Sequence, residues 1–480
     1  MLYRSTRSDL AVSDLEAVLQ GLAPDGGLYI DPTLAERPFD WEKCLTLTEK
    51  GMMGMILHHL LPSFEDMDAL VEKAYEGKFE NDRISPLVKC GGDYIMELFH
   101  GPTSAFKDVA LSVLPHLVTA ARRQLGKKDD ILILTATSGD TGKAALEGFH
   151  DVDGTGIIVF YPEGGVSKVQ YMQMATQSGK NVRVCAVRGN FDDCQRGVKK
   201  AFTALNDSRL SSANSINIGR LAPQVCYYFS AYSQLLALGE IKPDEMIDFV
   251  VPTGNFGDIL AGFFAKLMGL PVGRLVCAAN DNNVLSDFIN TGIYDVHRPF
   301  IRTESPSMDI LVSSNLERLL YLASGCDCEK VKGWMKELSS NGSYTVDAET
   351  LANIRETFSA GFASQNESDA ACKKAWDKGY LCDPHTSVAL AVLEKLGHSE
   401  RKTVVLSTAS PYKFPMAVLR SVGGDCSGDE FEQMETLEKI SGVKVPKNLS
   451  GLKSREILHR DVIDKDAVPA YVEKILREGM

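Results

Sequence analysis

The sequence predicts an α/β fold in which parallel-rich sheets are flanked by helices and an N-terminal domain precedes them. Short apolar runs, such as residues 131–134 and 157–160, show no polar alternation, which is typical of strands buried on both faces. A loop rich in Gly, Ser, Thr or Pro and then a helical pattern follow these two runs. This order of strand, loop and helix indicates parallel strands joined by helical crossovers.

The elements follow one another along the chain. A helix is expected over residues 191–206, and several helices are expected between residues 314 and 397. Strands are predicted at residues 131–134, 157–160, 182–187, 249–251, 275–279 and 403–406. We expect three domains with approximate boundaries: a mixed, mostly helical domain at 1–88, a smaller α/β domain at 126–215, and a large domain made of 89–125 and 216–480.

Composition excludes several classes of protein. The chain has 480 residues, enough for two or three domains, and its 44% apolar and 24% charged residues are ordinary globular values. Its net charge of −13 opposes binding to nucleic acid and to anionic membrane surfaces, so neither partner is expected. No apolar stretch reaches the roughly 18 residues of a transmembrane helix. Residues 1–7 lack the apolar run of a signal peptide, so we expect a cytoplasmic protein.

The cysteines suggest neither a disulfide framework nor a metal site. There are 11 of them, an odd number, which argues against systematic pairing. Cys326 and Cys328 are the closest pair, and no second pair of the kind that zinc sites use lies near them in the sequence. We therefore expect no metal.

A loop at residues 137–143 (TSGDTGK) comes between a predicted strand and a helix. It resembles a Walker A loop, but it has Thr137 where that motif needs Gly, and Ala144 where Ser or Thr binds magnesium. A P-loop nucleotidase is therefore not expected. The hydroxyls and free backbone N–H groups at a helix start suit a carboxylate or phosphate. An ordinary capped helix start is the alternative.

Two more loops follow predicted strands. Residues 252–258 (PTGNFGD) contain two glycines three apart, which let the backbone approach a ligand closely, although the pattern is not the dinucleotide motif. Residues 407–411 (STASP) end a strand with two hydroxyls. Helix capping and turn chemistry are the alternatives. Because ligands bind beyond the carboxyl ends of strands in open α/β sheets, these loops are candidates for one site.

Lys107 lies behind a loop at residues 100–106 (HGPTSAF) and begins an apolar helix. Burial of a lysine there would lower its pKa and make its amine nucleophilic, as Schiff-base chemistry requires. A solvated lysine at a helix start is the alternative.

These motifs, occurring together in this order, resemble those of the threonine synthase family, in its longer type with an N-terminal domain. HGPTxAFKD and SGDTG together are highly specific. The resemblance covers nearly the whole chain and includes residues 3–7 (YRSTR), 23–29 (APDGGLY), 100–108, 137–142, 214–217 (NSIN), 254–257, 305–310 (SPSMDI) and 383–386 (DPHT).

The resemblance implies a fold type II pyridoxal 5'-phosphate (PLP) enzyme, similar in fold to the tryptophan synthase beta subunit. The implied activity is that of a lyase in threonine biosynthesis, which converts O-phospho-L-homoserine and water into L-threonine and phosphate through a PLP Schiff base. The implied partner is this small-molecule substrate, and the chain is expected to be a monomer or a homodimer.

The resemblance also implies roles for individual residues at the cofactor. Lys107 matches the Schiff-base lysine, Thr408 matches the residue that faces the pyridine nitrogen, and Asp140 lies near the cofactor's 3′-oxygen. Asp258 is expected to contribute its backbone N–H or to cap a helix while its side chain points away. The implied cradle for the cofactor phosphate is Gly254, Asn255, Phe256 and Gly257.

A second set of residues is implied for the substrate. Thr137, Ser138 and Thr141 match the loop that binds the substrate carboxylate. Asn214 and Arg220 match a pair that holds the substrate phosphate, where the planar arginine fork suits phosphate oxygens. Lys168 is a further candidate phosphate contact.

Three other functions are compatible with parts of this pattern. Threonine-synthase-like phospho-lyases share the first half of the chemistry but yield a 2-oxo acid, ammonia and phosphate. An amino-acid dehydratase would have no use for Asn214 and Arg220. A cofactor-free scaffold protein would have no use for Lys107 or for the glycines of the two loops.

Overall fold

The structure, a computed structural model, describes residues 1–80, 83–137 and 139–479. Two open sheets covered by helices form its framework, and a small three-stranded sheet with four helices precedes them in the chain. In the five-stranded sheet all neighbouring strands are parallel, and in the six-stranded sheet only the edge pair is antiparallel. The predicted α/β class is confirmed.

Sixteen strands are present in the described residues. In chain order they are β1 (Leu2–Ser5), β2 (Ala11–Ser13), β3 (Tyr29–Ile30), β4 (Leu87–Cys90), β5 (Asp93–Glu97), β6 (Ile131–Ala136), β7 (Thr155–Pro162), β8 (Val182–Arg188), β9 (Leu210–Ser211), β10 (Ile247–Pro252), β11 (Val272–Ala279), β12 (Ile293–Asp295), β13 (Ser343–Thr345), β14 (Phe358–Phe362), β15 (Thr403–Ser407) and β16 (Asp461–Asp464).

The described residues also form twenty α-helices. They are α1 (Asp14–Gln20), α2 (Trp41–Leu45), α3 (Glu49–Leu60), α4 (Met67–Tyr75), α5 (Lys107–Gln124), α6 (Asp140–Phe149), α7 (Lys168–Ala175), α8 (Phe191–Leu205), α9 (Ile218–Leu221), α10 (Val225–Ala237), α11 (Gly257–Leu267), α12 (Val284–Thr291), α13 (Leu316–Ala323), α14 (Cys328–Asn341), α15 (Ala348–Arg355), α16 (Gln365–Asp377), α17 (Pro384–Leu396), α18 (Pro415–Val422), α19 (Glu430–Ser441) and α20 (Val468–Glu478). No helix in the described ranges is long and apolar enough to cross a membrane.

The two main sheets contain all six predicted strands. The larger sheet has the order β14-β11-β10-β15-β5-β4, and the smaller has the order β16-β8-β7-β6-β9. The expectation of helices alone between residues 314 and 397 was incomplete, because β14 pairs with β11 at the edge of the larger sheet. Its five residues include Gly361 and form no long apolar run, so the sequence pattern did not indicate a strand.

The end of the chain returns to the smaller sheet. Strand β16 pairs in parallel with β8, and helix α20 packs against α8. The predicted large domain includes all of residues 216–480, so this return differs from the prediction. No sequence pattern in the mostly exposed β16 indicates it. The division into domains otherwise stays a prediction.

Helix α5 is the centre around which the other parts assemble. Nearly all its side chains are buried, since α1 and α4 pack against it from the N-terminal region and α6 packs against it from the smaller sheet. Gly148 makes the contact with α6 close, because a Cβ there would lie 2.1 Å from the carbonyl oxygen of Leu111. This contact joins the C-terminal end of α6 to the N-terminal part of α5.

The packing of α20 predicts a local loss of stability. Val468 is fully buried against α8, where a Cβ on Gly197 would lie 2.7 Å from its side chain. Val468→Ala removes two buried methyl groups and should destabilise this region by about 2 kcal/mol. Denaturant unfolding and amide hydrogen exchange in β8 measure the effect. Val462→Ala, at a position 38% exposed in β16, is the matched control, and an equal loss there would contradict the packing argument.

Candidate active site

Two loops that follow neighbouring strands of the larger sheet are joined by backbone hydrogen bonds. The N–H of Phe106 donates to the carbonyl of Thr408 at 2.9 Å, and the N–H of Ser410 donates to the carbonyl of Ser104 at 3.1 Å. These two bonds surround an antiparallel bridge between the two loops. The structure therefore brings Lys107 and Thr408, two of the predicted cofactor residues, to the same place.

Asp108 holds the loop that presents Lys107. Its carboxylate accepts hydrogen bonds from the backbone N–H of Thr103 at 2.8 Å and from the Thr103 hydroxyl at 2.5 Å. Burial raises the pKa of Asp108 to about 6, although both of these bonds favour the charged form. Asp108, the aspartate of the HGPTSAFKD motif, thus stabilises the conformation of its own loop.

The Lys107 amine has few compensating contacts. Its Nζ donates to the Ser307 hydroxyl at 3.2 Å and lies 5.1 Å from the centre of the Phe106 ring. Burial lowers the pKa of Lys107 to about 8; the positive charges of Lys413 and Arg220 also lower it, while Asp140 opposes them. A large fraction of the amine is therefore neutral, and so nucleophilic, near pH 8.

Ser307 is fixed on both sides of its peptide backbone. Its N–H donates to Nε2 of the buried His385 at 3.2 Å, and the other ring nitrogen, Nδ1, lies 2.7 Å from Asp383. Its carbonyl oxygen packs against Gly254 so closely that a Cβ there would approach it to 2.4 Å. The family resemblance includes the motifs SPSMDI and DPHT, but it implies no role for Ser307, Asp383 or His385.

The loop at residues 137–142 is organised by one hydroxyl. Thr137 Oγ1 accepts the N–H groups of Gly139 and Gly142, each at 2.9 Å, and lies 3.0 Å from the Gly139 carbonyl, to which it donates. The hydroxyl of Thr137 is thus engaged inside the loop. Thr141 is partly buried in the first turn of α6. Ser138 lies outside the described residues.

Asp140 makes a buried ion pair with Lys413. The carboxylate oxygen and the ammonium are 2.6 Å apart, with side chains 5% and 0% exposed, and Gln170 donates to the same oxygen at 3.1 Å. Burial alone would raise the pKa of Asp140, but Lys413 and Lys107 hold it well below its usual range. No local pattern in the sequence indicates Lys413, which follows a Ser-Pro turn and meets Asp140 only in the folded chain.

The loop at residues 254–257 leads into α11 and carries backbone N–H groups that could donate to a ligand. Phe256 adopts a left-handed conformation, with φ of 61°, and no side chain caps the helix. The backbone N–H groups of residues 254–259 donate to no acceptor in the described part of the chain. Clustered N–H donors at a helix start fit a phosphate dianion, and no basic side chain is needed.

Asp258 points away from this loop. Its carboxylate accepts hydrogen bonds from the hydroxyls of Tyr227 at 2.6 Å and Tyr228 at 3.0 Å, below the first turn of α11. Burial raises the pKa of Asp258 to about 6. Only its backbone N–H is available to a ligand at the loop, and its contribution to cofactor binding stays a prediction.

Arg220 is a buried cation without a described counter-ion. Its side chain donates to the carbonyl of Ala213 at 2.9 Å, while its Nε has no hydrogen-bond partner among the described residues. Burial lowers the pKa of Arg220 to about 10, so it stays charged at neutral pH. A buried, charged guanidinium with a free N–H suits a bound anion. Asn214, next to Ala213 in the chain, is exposed.

Lys168 takes a different position from the other predicted residues. Its ammonium lies 2.8 Å from Asp429, and half of its side chain is exposed. Helix α7 reaches the site through Gln170, which contacts Asp140, and not through Lys168. The role of Lys168 as a phosphate contact stays a prediction that no described contact supports.

Comparison with known proteins gives a consistent result. A family model described as "Pyridoxal-phosphate dependent enzyme" matches residues 80–409, and one described as "Threonine synthase, C-terminal" matches residues 386–472. The threonine synthase of Saccharomyces cerevisiae is 38% identical, over 92% of this chain and 94% of its own length. Human threonine synthase-like 1 is 36% identical, over 85% of this chain but only 58% of its own length.

Solved structures agree with these matches. The structure of a PLP-bound threonine synthase from Brucella melitensis superposes with a TM-score of 0.89 and 38% identity, covering 100% of this chain and 99% of that one. The yeast threonine synthase superposes with the same TM-score of 0.89 at 35% identity. The similarity therefore includes the whole fold.

The Asp140–Lys413 pair predicts a strong coupling between two substitutions. Lys413→Met leaves a buried carboxylate unpaired and should lower the free energy of unfolding by about 3–5 kcal/mol. Adding Asp140→Asn should recover most of that loss, because the carboxylate that lost its partner is then no longer charged. Denaturant unfolding of the wild type, both single variants and the double variant measures the coupling. Lys444→Met, which breaks an exposed pair with Glu438, is the control and should leave stability unchanged. Additive losses would contradict the pairing.

Proposed function

This chain belongs to the threonine synthase family of pyridoxal-phosphate-dependent enzymes, and we propose that it converts O-phospho-L-homoserine and water into L-threonine and inorganic phosphate. The observation that carries the proposal is the buried Arg220 close to Lys107, whose pKa its charge lowers. A phosphorylated amino acid needs both an anion site and a reactive amine, and these two residues would supply them within one site.

The residues present fit pyridoxal phosphate. The N–H groups of residues 254–259, which have no described acceptor, suit its phosphate, and Lys107 offers an amine with a lowered pKa for its aldehyde. Thr408, joined to the Lys107 loop through its carbonyl, is proposed to face the pyridine nitrogen. Asp140, held in its charged form by Lys413, is proposed to lie near the 3′-oxygen.

The chemistry divides between the cofactor and the chain. Pyridoxal phosphate, when bound, supplies an electron sink that stabilises negative charge at the substrate carbons. The Lys107 amine, when free, would act as general base twice: it takes a proton from Cα, gives that proton up to the cofactor when one is bound, and as a neutral amine again takes a proton from Cβ. The hydroxyl of Ser307 accepts a hydrogen bond from Nζ and thereby orients this amine. Lys107 or a phosphate oxygen then returns a proton to Cγ.

Arg220 and the loop of residues 137–142 bind the two ends of the substrate. Arg220, with Asn214, is proposed to hold the phosphate that leaves from Cγ, since a charged guanidinium stabilises the developing phosphate anion. The loop N–H groups and the hydroxyls of Thr141 and Ser138 are proposed to bind the carboxylate at the start of α6. Thr137 supports them by holding the loop in shape.

A phospho-lyase that releases a 2-oxo acid and ammonia is the second candidate. The similarity to human threonine synthase-like 1 favours it, but this chain spans only 58% of that protein's length, against 94% for yeast threonine synthase. The two reactions differ in whether water adds at Cβ. The cytoplasmic location and the monomeric or homodimeric state expected from the sequence also stay predictions.

Product analysis tests the proposed reaction. With O-phospho-L-homoserine the purified protein should release phosphate and L-threonine in equal amounts, with little 2-oxobutyrate. Lys107→Ala should abolish this turnover and leave pyridoxal phosphate bound only noncovalently, so that borohydride no longer fixes it to the chain. Phosphate release matched by 2-oxobutyrate would favour the second candidate. Wild-type turnover in Lys107→Ala would remove that lysine from the mechanism.

Ser307 predicts a change in both turnover and the pH dependence of Lys107. Ser307→Ala removes the acceptor that favours the charged ammonium, so covalent capture of added pyridoxal phosphate by cofactor-free protein should have its midpoint below the wild-type value near pH 8. Turnover should fall about tenfold in kcat, because the amine loses its orientation. Ser307→Thr retains the hydroxyl and should restore both. Equal behaviour of the Ala and Thr variants would refute a role for the hydroxyl.

A further inference from the structure

The segment that carries the proposed phosphate contacts is anchored to the N-terminal region of the chain. The side-chain amide of Asn217 donates to the carbonyl of Val18 at 2.9 Å, and the hydroxyl of Ser211 donates to the carbonyl of Leu19 at 3.3 Å. Both carbonyls belong to the last turn of α1, where a helix leaves its C=O groups without internal partners. The segment thus satisfies the end of a helix that belongs to another part of the molecule.

Asn217 connects this anchor directly to Arg220. Its Oδ1 accepts the N–H of Gly219 at 2.8 Å and so caps α9, and its carbonyl accepts the N–H of Arg220 at 2.9 Å. The side chain is 1% exposed. Asn217 is therefore hydrogen-bonded both to the end of α1 and to the helix turn that carries Arg220.

A second buried arginine ties the same segment to the N-terminal region. Arg318, which is fully buried, donates through Nε to the carbonyl of Tyr29 at 2.9 Å and through Nη2 to the carbonyl of Ile216 at 2.5 Å. Its neighbour Asn315 donates to the carbonyl of Ser215 at 3.2 Å. The turn of residues 214–217 thus has a fixed contact at three successive positions.

We propose that the N-terminal region, through the end of α1 and through β3, positions Arg220 and Asn214 for the phosphate of the substrate, with Asn217 as the positioning residue. Arg220 has no described carboxylate to hold it, and a buried cation that must await an anion needs support from its backbone. The proposal assigns a function to residues 1–30 and rests on the proposed threonine synthase activity.

Asn217→Ser isolates the link to α1. Serine is a good N-cap and retains an acceptor for the N–H of Gly219, but its side chain is too short to reach the Val18 carbonyl. In the full-length holoenzyme we expect the KM for O-phospho-L-homoserine and the inhibition constant of inorganic phosphate to rise about tenfold each. The value of kcat should stay within about threefold, since the loss concerns binding of the phosphate.

Two further measurements separate positioning from general damage. The affinity for L-threonine, which carries no phosphate, and the absorption band of the bound cofactor should not change. Ser211→Ala, which removes only the weaker contact with Leu19, should shift the phosphate inhibition constant in the same direction by a smaller factor. Asn181→Ser is the matched control. Asn181 immediately precedes β8, and the substitution removes the amide that donates to the carbonyls of Phe149 and Thr155. Phosphate inhibition should stay as in the wild type.

A double-variant comparison decides whether Asn217 acts through Arg220. Arg220→Ala should weaken phosphate inhibition strongly, and adding Asn217→Ser should then have no further effect on it. If Arg220→Ala weakens phosphate inhibition and Asn217→Ser does not, or if Asn217→Ser weakens L-threonine binding equally, the positioning role is overturned while the proposed function stands. If Arg220→Ala leaves phosphate inhibition unchanged, the phosphate site of the proposed function fails and the positioning role fails with it.

Discussion

A buried imbalance of charge is the constraint on which the site depends. Asp140 pairs with Lys413, and its charge also acts on the amine of Lys107. That amine is further affected by the positive charge of Arg220, which has no counter-ion among the described residues. In a chain whose net charge is −13, this places local positive charge inside an acidic molecule. Burial, with a smaller effect from the charges of Lys413 and Arg220, keeps the Lys107 amine partly neutral, and the lack of a counter-ion leaves Arg220 able to receive an anion.

This arrangement depends on three parts of the chain meeting around α5. The larger sheet supplies Lys107, Thr408 and Lys413, the smaller sheet supplies Asp140 from α6, and the segment before α10 supplies Arg220. Close helix packing at Gly148 and the Asp140–Lys413 ion pair bring the first two parts together, while the hydrogen-bonded pair of loops holds Lys107 and Thr408 together within the first. The N-terminal helices complete the assembly by covering the other faces of α5.

The sequence indicates the local motifs of the site, but it does not indicate the long-range contacts that hold them. Local motifs have short-range physical causes: Asp108 folds its own loop, Thr137 caps its own loop, and residues 254–257 lead into their own helix, so their residue types can be interpreted without a structure. The contact of Lys413 with Asp140 and the contacts of Ser307 with His385 and Lys107 join residues that are distant in the chain. No local pattern indicates such contacts. Lys168, predicted from its motif position, pairs with Asp429 at the surface, and its role as a phosphate contact stays a prediction.

The sequence by itself determined the α/β class, the six inner strands and the family, and it predicted Lys107 as the reactive lysine, because periodicity and motif chemistry are local properties of a chain. Only the tertiary structure decided which charges are buried together, that β16 and α20 return to the smaller sheet, and that α1 supports the turn before Arg220. The physical reason is that burial and ion pairing depend on distances between residues far apart in sequence. The energy of a buried charge is set by those distances.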